Sequence, residues 1–173
     1  PYNIVENQGE ALMKACEEKG IGFINMKPLA GGAIENPSLA LKYVLSNLSV
    51  TVAIPGMGSV EELEQNLEVC QNTIEITEEE RAEMAAIREK LGNSFCRRCG
   101  YCAPCTVGID ITNTFLFAGY LERYDLAEWA KNRYSALKVK ASACIGCGKC
   151  EERCPYHLPI REMLKKCAKD FGE

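Results

Sequence analysis

Cysteine placement constrains this chain more than any other feature. Eleven cysteines occur in 173 residues. Cys16, Cys70 and Cys167 stand alone, while eight crowd into 96–105 and 144–154. Disulfide frameworks belong to small secreted domains, and an odd count with no secretory leader read at the N-terminus fits one poorly. Crowded thiols of this kind form a metal-binding pattern in a reducing compartment, so a cytoplasmic location is expected. The two runs are also an internal repeat. Cys96-x2-Cys99-x2-Cys102-x2-Cys105 is echoed by Cys144-x2-Cys147-x2-Cys150-x3-Cys154, and the first copy is one residue shorter before its fourth cysteine.

The second run, followed by Pro155, has the spacing that bacterial ferredoxins use to bind [4Fe–4S] clusters. Two-residue spacers let three thiolates converge on one face of a cube, Gly146 and Gly148 permit the tight wrap, and the fourth cysteine usually reaches the other cluster. Two runs therefore predict two [4Fe–4S] clusters with crossed fourth ligands. Cys96, Cys99, Cys102 and Cys154 are assigned to one, and Cys105, Cys144, Cys147 and Cys150 to the other. Structural zinc is the competing reading, since Cys-x2-Cys pairs also build tetrahedral sites. Such sites use two pairs separated by a longer loop, not four cysteines in one run followed by proline. The three isolated cysteines fall on apolar helix faces and read as buried small hydrophobes. His157, the one histidine, is expected at the surface or near a ligand, tuning it through hydrogen bonds. Tyr101, Tyr156 and Trp129 are candidates for an electron path, with packing as their default role.

The remaining sequence reads as two domains, 1–92 and 93–173, divided at Gly92-Asn93-Ser94. In the first, helix 10–19 places Leu12, Ala15 and Cys16 on one face and stops at Gly20. A buried strand is expected over 21–26, then a loop from Lys27 to Gly32. Asn36-Pro37 signals a capped helix start, followed by a strand over 50–54. Capping boxes at Ser59 and Thr77 open two further helices, the first with Val60, Leu63, Leu67 and Cys70 on one face, the second with Met84, Ile87 and Leu91 inward. This alternation implies right-handed crossovers and a parallel sheet, too small to stand alone, so the segment is read as part of a larger α/β domain. Beyond Ser94 the pattern is helical: 112–124, then 125–137 with an Asp125 to Glu128 capping box, then 159–171 with Ile160, Met163, Leu164 and Cys167 in register. A net charge of −4 and the lack of a basic stripe argue against nucleic acid. No apolar run approaches the roughly 18 residues of a membrane span. The opening on Pro1 suggests processing or a piece of something longer.

Pro1-Tyr2-Asn3, the stretch from Gly20 through Met26-Lys27-Pro28-Leu29-Ala30-Gly31-Gly32, and Val52-Ala53-Ile54-Pro55-Gly56-Met57-Gly58-Ser59 with the residues up to Asn66 resemble the last third of an aldo/keto reductase. The whole chain resembles the C-terminal part of aldo/keto-reductase-family oxidoreductases that carry an appended ferredoxin-like domain. That resemblance implies a partial (β/α)8 TIM barrel supplying strands seven and eight, followed by an all-α ferredoxin-like domain. It implies NAD(P) in the full-length protein, bordered by Met26, Lys27, Pro28, Leu29 and Gly31, with the phosphates at Gly56, Met57, Gly58 and Ser59 ahead of a helix N-terminus. Glu62 stands where the family often has an arginine for the 2′-phosphate, which favours NAD, or no nucleotide, over NADP. The family's catalytic tetrad lies in the first half of the barrel, so no catalytic residue is assigned here, and Tyr2 and Lys27 are not substitutes. The expected function is electron transfer through two clusters, coupled in the full-length oxidoreductase to a nicotinamide site. The alternative is an electron-transfer or structural metal-binding module without catalysis. Expected partners are a redox protein or a small carbonyl substrate, and the missing barrel half or a second copy over the exposed sheet. Self-association through that sheet, or disorder near residues 1–35, follows from its incompleteness.

Overall fold

The computed structural model describes every residue except Thr73 and Asn93, so the middle residue of the expected Gly92-Asn93-Ser94 boundary lies outside the described residues. The chain divides into two units, Pro1–Gly92 and Asn93–Glu173.

In the first unit the N-terminal residues are tied to a strand by side-chain amides. The Tyr2 N–H donates to Asn25 Oδ1 at 2.9 Å, and Asn25 Nδ2 donates back to the Tyr2 carbonyl at 2.8 Å. Asn3 accepts from the N–H groups of Val5 and Glu6 and donates to the Lys27 carbonyl. Tyr2, Asn3, Ile4 and Asn25 are all buried. Buried amides with these bonds satisfied are specific anchors, because losing one partner leaves a desolvated polar group.

The elements run α1 (Glu10–Glu18), β1 (Ile24–Met26), α2 (Pro37–Leu45), β2 (Val52–Ile54), α3 (Val60–Gln71) and α4 (Glu78–Gly92). The two strands are parallel, with Ile24 opposite Val52 and Met26 opposite Ile54. Asn36 caps α2 by accepting the Leu39 N–H at 3.1 Å. Ser59 caps α3, and Thr77 with Glu80 forms a reciprocal box at α4.

Several burial expectations are reversed. The strand at 21–26 is shorter than expected, and its buried residue is Asn25, while Ile24 and Met26 are 65% and 51% exposed. Met13 rather than Leu12 or Ala15 faces the core from α1. On α3 the apolar face is open: Val60, Leu63 and Leu67 are exposed, and so is Cys70. Two strands cover one face of their sheet with Tyr2, Met13 and Val44 as the local core, and the described residues provide nothing to cover the other. Of the three inward residues expected on α4, Met84 is buried and Ile87 and Leu91 are half-buried.

The second unit contains α5 (Ile111–Arg123), α6 (Ala127–Ser135), a 3-10 turn at Ala141–Ala143, α7 (Lys149–Glu152) and α8 (Ile160–Asp170), with no strand among the described residues. Ile111, Phe115, Phe117, Ile160, Leu164 and Cys167 form one apolar core with Tyr134. Tyr134 stacks on Phe171 with centroids 3.8 Å apart and accepts the Ala141 N–H. Lys140 closes the end of α6 by donating to the carbonyls of Tyr134, Ser135 and Leu137. The expected Asp125 to Glu128 box does not form. Asp125 has a left-handed φ of 51°, and Leu126 takes the N-cap position without a side-chain bond.

The Lys42–Glu80 pair joins α2 to α4 at 2.8 Å, with both side chains half-buried. The Lys42 ammonium, then the Thr77 amide, hold the Glu80 carboxyl below its ordinary value. A folded-state value lowered in this way stabilises above the unfolded carboxylate pKa of about 4.3, and the contribution disappears as pH falls through the lowered value. Glu80→Gln is expected to lose about 1 kcal/mol at pH 7. Urea unfolding from pH 7 to pH 3 should show a smaller loss of stability in the variant than in the parent.

Candidate metal centre

Each cysteine run wraps by the same backbone turn. Gly146 and Gly148 have left-handed φ values of 70° and 79°. At the corresponding positions of the first run stand Arg98, at 57°, and Gly100, at 83°. The repeat therefore extends to the dihedral angles, and it persists at Arg98, where a side chain makes that conformation costly. Each run then leads into a helix, the first into α5 through the Asp110 cap and the second into α8.

The two loops border two hollows of similar size, about 350 Å³ and 330 Å³ counted out to their open mouths. Cys105, Cys144, Cys147 and Cys150 line the first. Cys96, Cys99, Cys102 and Cys154 line the second. Three thiols of one run thus share each hollow with the fourth cysteine of the other run. Ile111, 3% exposed, lines both hollows, and Leu164 and Phe115 extend the apolar wall on either side. Arg153 ties the runs together by donating to the carbonyls of Pro104, at 2.9 Å, and Cys102.

The electrostatics suit an iron–sulfur cluster, whose cationic iron–sulfide core becomes anionic overall once four thiolates ligate it. Burial raises the pKa of Cys96, Cys102 and Cys150, and neighbouring thiols add to this for Cys96 and Cys102. Cys147 is the exception; the Thr106 hydroxyl, then the Lys149 backbone, lower its value. Four thiolates gathered without a cation repel one another and lose hydration, a cost that bound iron removes. No histidine or carboxylate lines either hollow among the described residues, whereas Lys149, Arg161 and Arg97 do. Soft sulfur donors flanked by cations match an anionic iron–sulfur cluster. Among the described residues no three His, Cys, Asp or Glu side chains converge closely enough to hold a single ion. The thiols rim a space instead of meeting at a point.

The other candidate residues take different places. His157 is exposed, has a φ of 50°, and lines neither hollow; its N–H donates to the Cys154 carbonyl. Tyr156 lines the second hollow beneath the Arg97 guanidinium. Tyr101 is exposed, and Trp129 packs against Tyr120 and Arg133. Cys167 is buried, and burial pushes its pKa up to about 12. Cys16 is half-buried.

In the first unit, Met26 pairs with Ile54, so the loops that follow leave the same end of the sheet. Met26 and Lys27 are exposed, Pro28 is buried, and Leu29 and Gly31 are half-buried. Gly56, Met57, Gly58 and Ser59 are exposed ahead of α3, and the Glu62 carboxylate accepts the Gly58 N–H at 2.6 Å. Sequence reasoning missed Ile111, Thr106 and Arg153. None lies in a cysteine pattern that separates it from its neighbours, and each acquires its role by proximity to residues of the other run or hollow.

A helical scaffold holding eight thiols around two hollows has the donor set of an iron–sulfur protein, and the other unit is a fragment of parallel α/β structure. Comparison with known families agrees. Residues 95–159 match the 4Fe-4S dicluster domain, and residues 34–89 match the aldo/keto reductase family, so the first unit contains a TIM-barrel-related fragment. The aldo/keto reductase match begins beyond β1 and the Lys27–Gly32 loop. An uncharacterized oxidoreductase of Schizosaccharomyces pombe is 34% identical over 82 residues, covering 38% of this chain and 27% of that relative's length. No solved structure matches the chain. The dicluster match gives it iron–sulfur clusters as cofactors. Among the described residues no helix is long and apolar enough to cross a membrane.

Substitutions at the repeated turn should have opposite signs. Gly146→Ala should destabilise by about 1 kcal/mol, since the left-handed conformation disfavours any Cβ. Arg98→Gly should relieve a similar strain, and the net gain should be below about 1 kcal/mol because glycine also frees the unfolded chain. Chemical unfolding of the cluster-loaded protein, followed by its helical circular dichroism, checks both.

Proposed function

We propose that residues 93–173 hold two [4Fe–4S] clusters and relay electrons between a nicotinamide site in a (β/α)8 barrel and a redox partner protein or a small carbonyl substrate. Residues 1–92 contribute the last two strands and helices of that barrel, and the rest lies outside this chain. The observation that carries the reading is the crossed lining of the two hollows, with Cys105 beside the second run's thiols and Cys154 beside the first's.

Bound there, the clusters supply one-electron carriers. The chain does the rest. Its eight cysteines hold the groups, Ile111 keeps the space between them apolar, and Arg153 fixes the carbonyls flanking the loop that delivers Cys105. Met26, Lys27, Pro28, Leu29 and Gly31 border the nicotinamide cofactor, and Gly56 to Ser59 receive its phosphates. Glu62 already engages the Gly58 amide, and its charge repels a 2′-phosphate, which favours NAD. Tyr2 takes no catalytic part; it is buried and stacked 5.2 Å from Tyr43. The exposed face of Ile24, Met26, Val52 and Ile54 is covered by the remaining barrel or, without it, by a second copy.

Protein purified without oxygen should contain about eight iron and eight sulfide per chain. Low-temperature EPR of the reduced protein should resolve two interacting clusters. Cys105→Ser should perturb the cluster of the second run, and Cys154→Ser that of the first. Zinc without sulfide would overturn the electron-transfer reading. In a longer chain containing the whole barrel, NADH oxidation should reduce the clusters, and a protein that binds no nucleotide would remove the enzymatic half of the proposal alone.

A further inference from the structure

We propose that Thr106 raises the reduction potential of the cluster at Cys105, Cys144, Cys147 and Cys150 by donating a hydrogen bond to the Cys147 sulfur. The inference rests on the iron–sulfur reading above and adds a residue outside the ligand set. Thr106 Oγ1 lies 3.4 Å from Cys147 Sγ, across 41 residues of sequence. Both residues line the same hollow. An iron-bound cysteine carries no proton, so the hydroxyl must be the donor.

The hydroxyl comes from the residue after Cys105, the thiol that the first run sends to this hollow. One turn of chain thus brings a ligand and a donor to the other run. A hydroxyl that donates to a thiolate sulfur places its positive end against the negative charge there and stabilises it. An added electron increases the negative charge on the ligating sulfurs. A donor aimed at one of them therefore favours the reduced state over the oxidised state, and hydrogen bonds to sulfur are an established determinant of cluster potential. The Thr106 donor can be removed by side-chain substitution. Thr106 is thus a positioning residue for charge, and it shifts an electron shared between the two clusters toward this one.

The test is an EPR-monitored redox titration of the cluster-loaded chain and its Thr106→Val, Thr106→Ala and Thr106→Ser variants, with iron and sulfide measured on each sample. Val and Ala should retain full iron and shift one midpoint potential downward, leaving the other in place. Ser should restore the parent potential. Full iron with both potentials unchanged in Val and Ala would overturn the proposal, as would a Ser variant that falls as far as Val. Loss of iron from all three variants, Ser included, would make Thr106 a structural prop and also overturn it. Failure of the underlying reading is separate, because the parent protein would then lack iron and sulfide.

Discussion

The gathering of thiols from distant parts of the chain is the constraint around which the second unit is organised. Cys105 and Cys144 are separated by two helices, yet both line one hollow. A chain can bring such residues together only if the intervening segment turns back, and α5 and α6 do this as a packed pair of helices joined by a short turn at Asp125. Crowded sulfurs are a liability in the absence of metal, since burial and mutual repulsion both oppose the thiolate form. The apolar core of Ile111, Phe115, Ile160 and Leu164 therefore provides a scaffold whose energy does not depend on the thiols themselves. Metal binding then converts the liability into a cross-link between the two runs.

The first unit meets the opposite problem. Ile4, Met13, Ile34, Leu39, Val44 and Met84 are buried in it, but its two strands leave a row of Ile24, Met26, Val52 and Ile54 in solvent. Parallel strands are normally covered on both faces. Polar bonds add to its apolar core: Asn25 bonded twice to Tyr2, Asn3 bonded to the following turn and to Lys27, and Arg88 donating to the Ile4 carbonyl. Directional bonds of this kind fix the path of the N-terminal residues against β1 where hydrophobic burial alone would leave it loosely specified.

Local signals were legible wherever the chemistry is short-range. Asn36-Pro37, Ser59 and Thr77 started helices where expected, because a capping side chain needs only the next three residues. The Asp125 signal failed for the same reason in reverse, since a left-handed turn at that residue removed the geometry its carboxylate would need. Burial was harder to read. A period-two or helical pattern says which residues share a face, as it did for Val60, Leu63 and Leu67, but not whether anything covers that face.

Sequence alone determined the cysteine repeat and the cluster chemistry it implies, because thiol spacing within a run is a local property set by a few backbone turns. The glycines that permit those turns were equally local. Only the tertiary structure decided that Ile111 lines both hollows, that Arg153 braces the opposite loop, and that Thr106 reaches Cys147. These are contacts between residues some forty to fifty positions apart, fixed by how α5, α6 and α8 pack, and no periodicity in the chain encodes a distance across that fold.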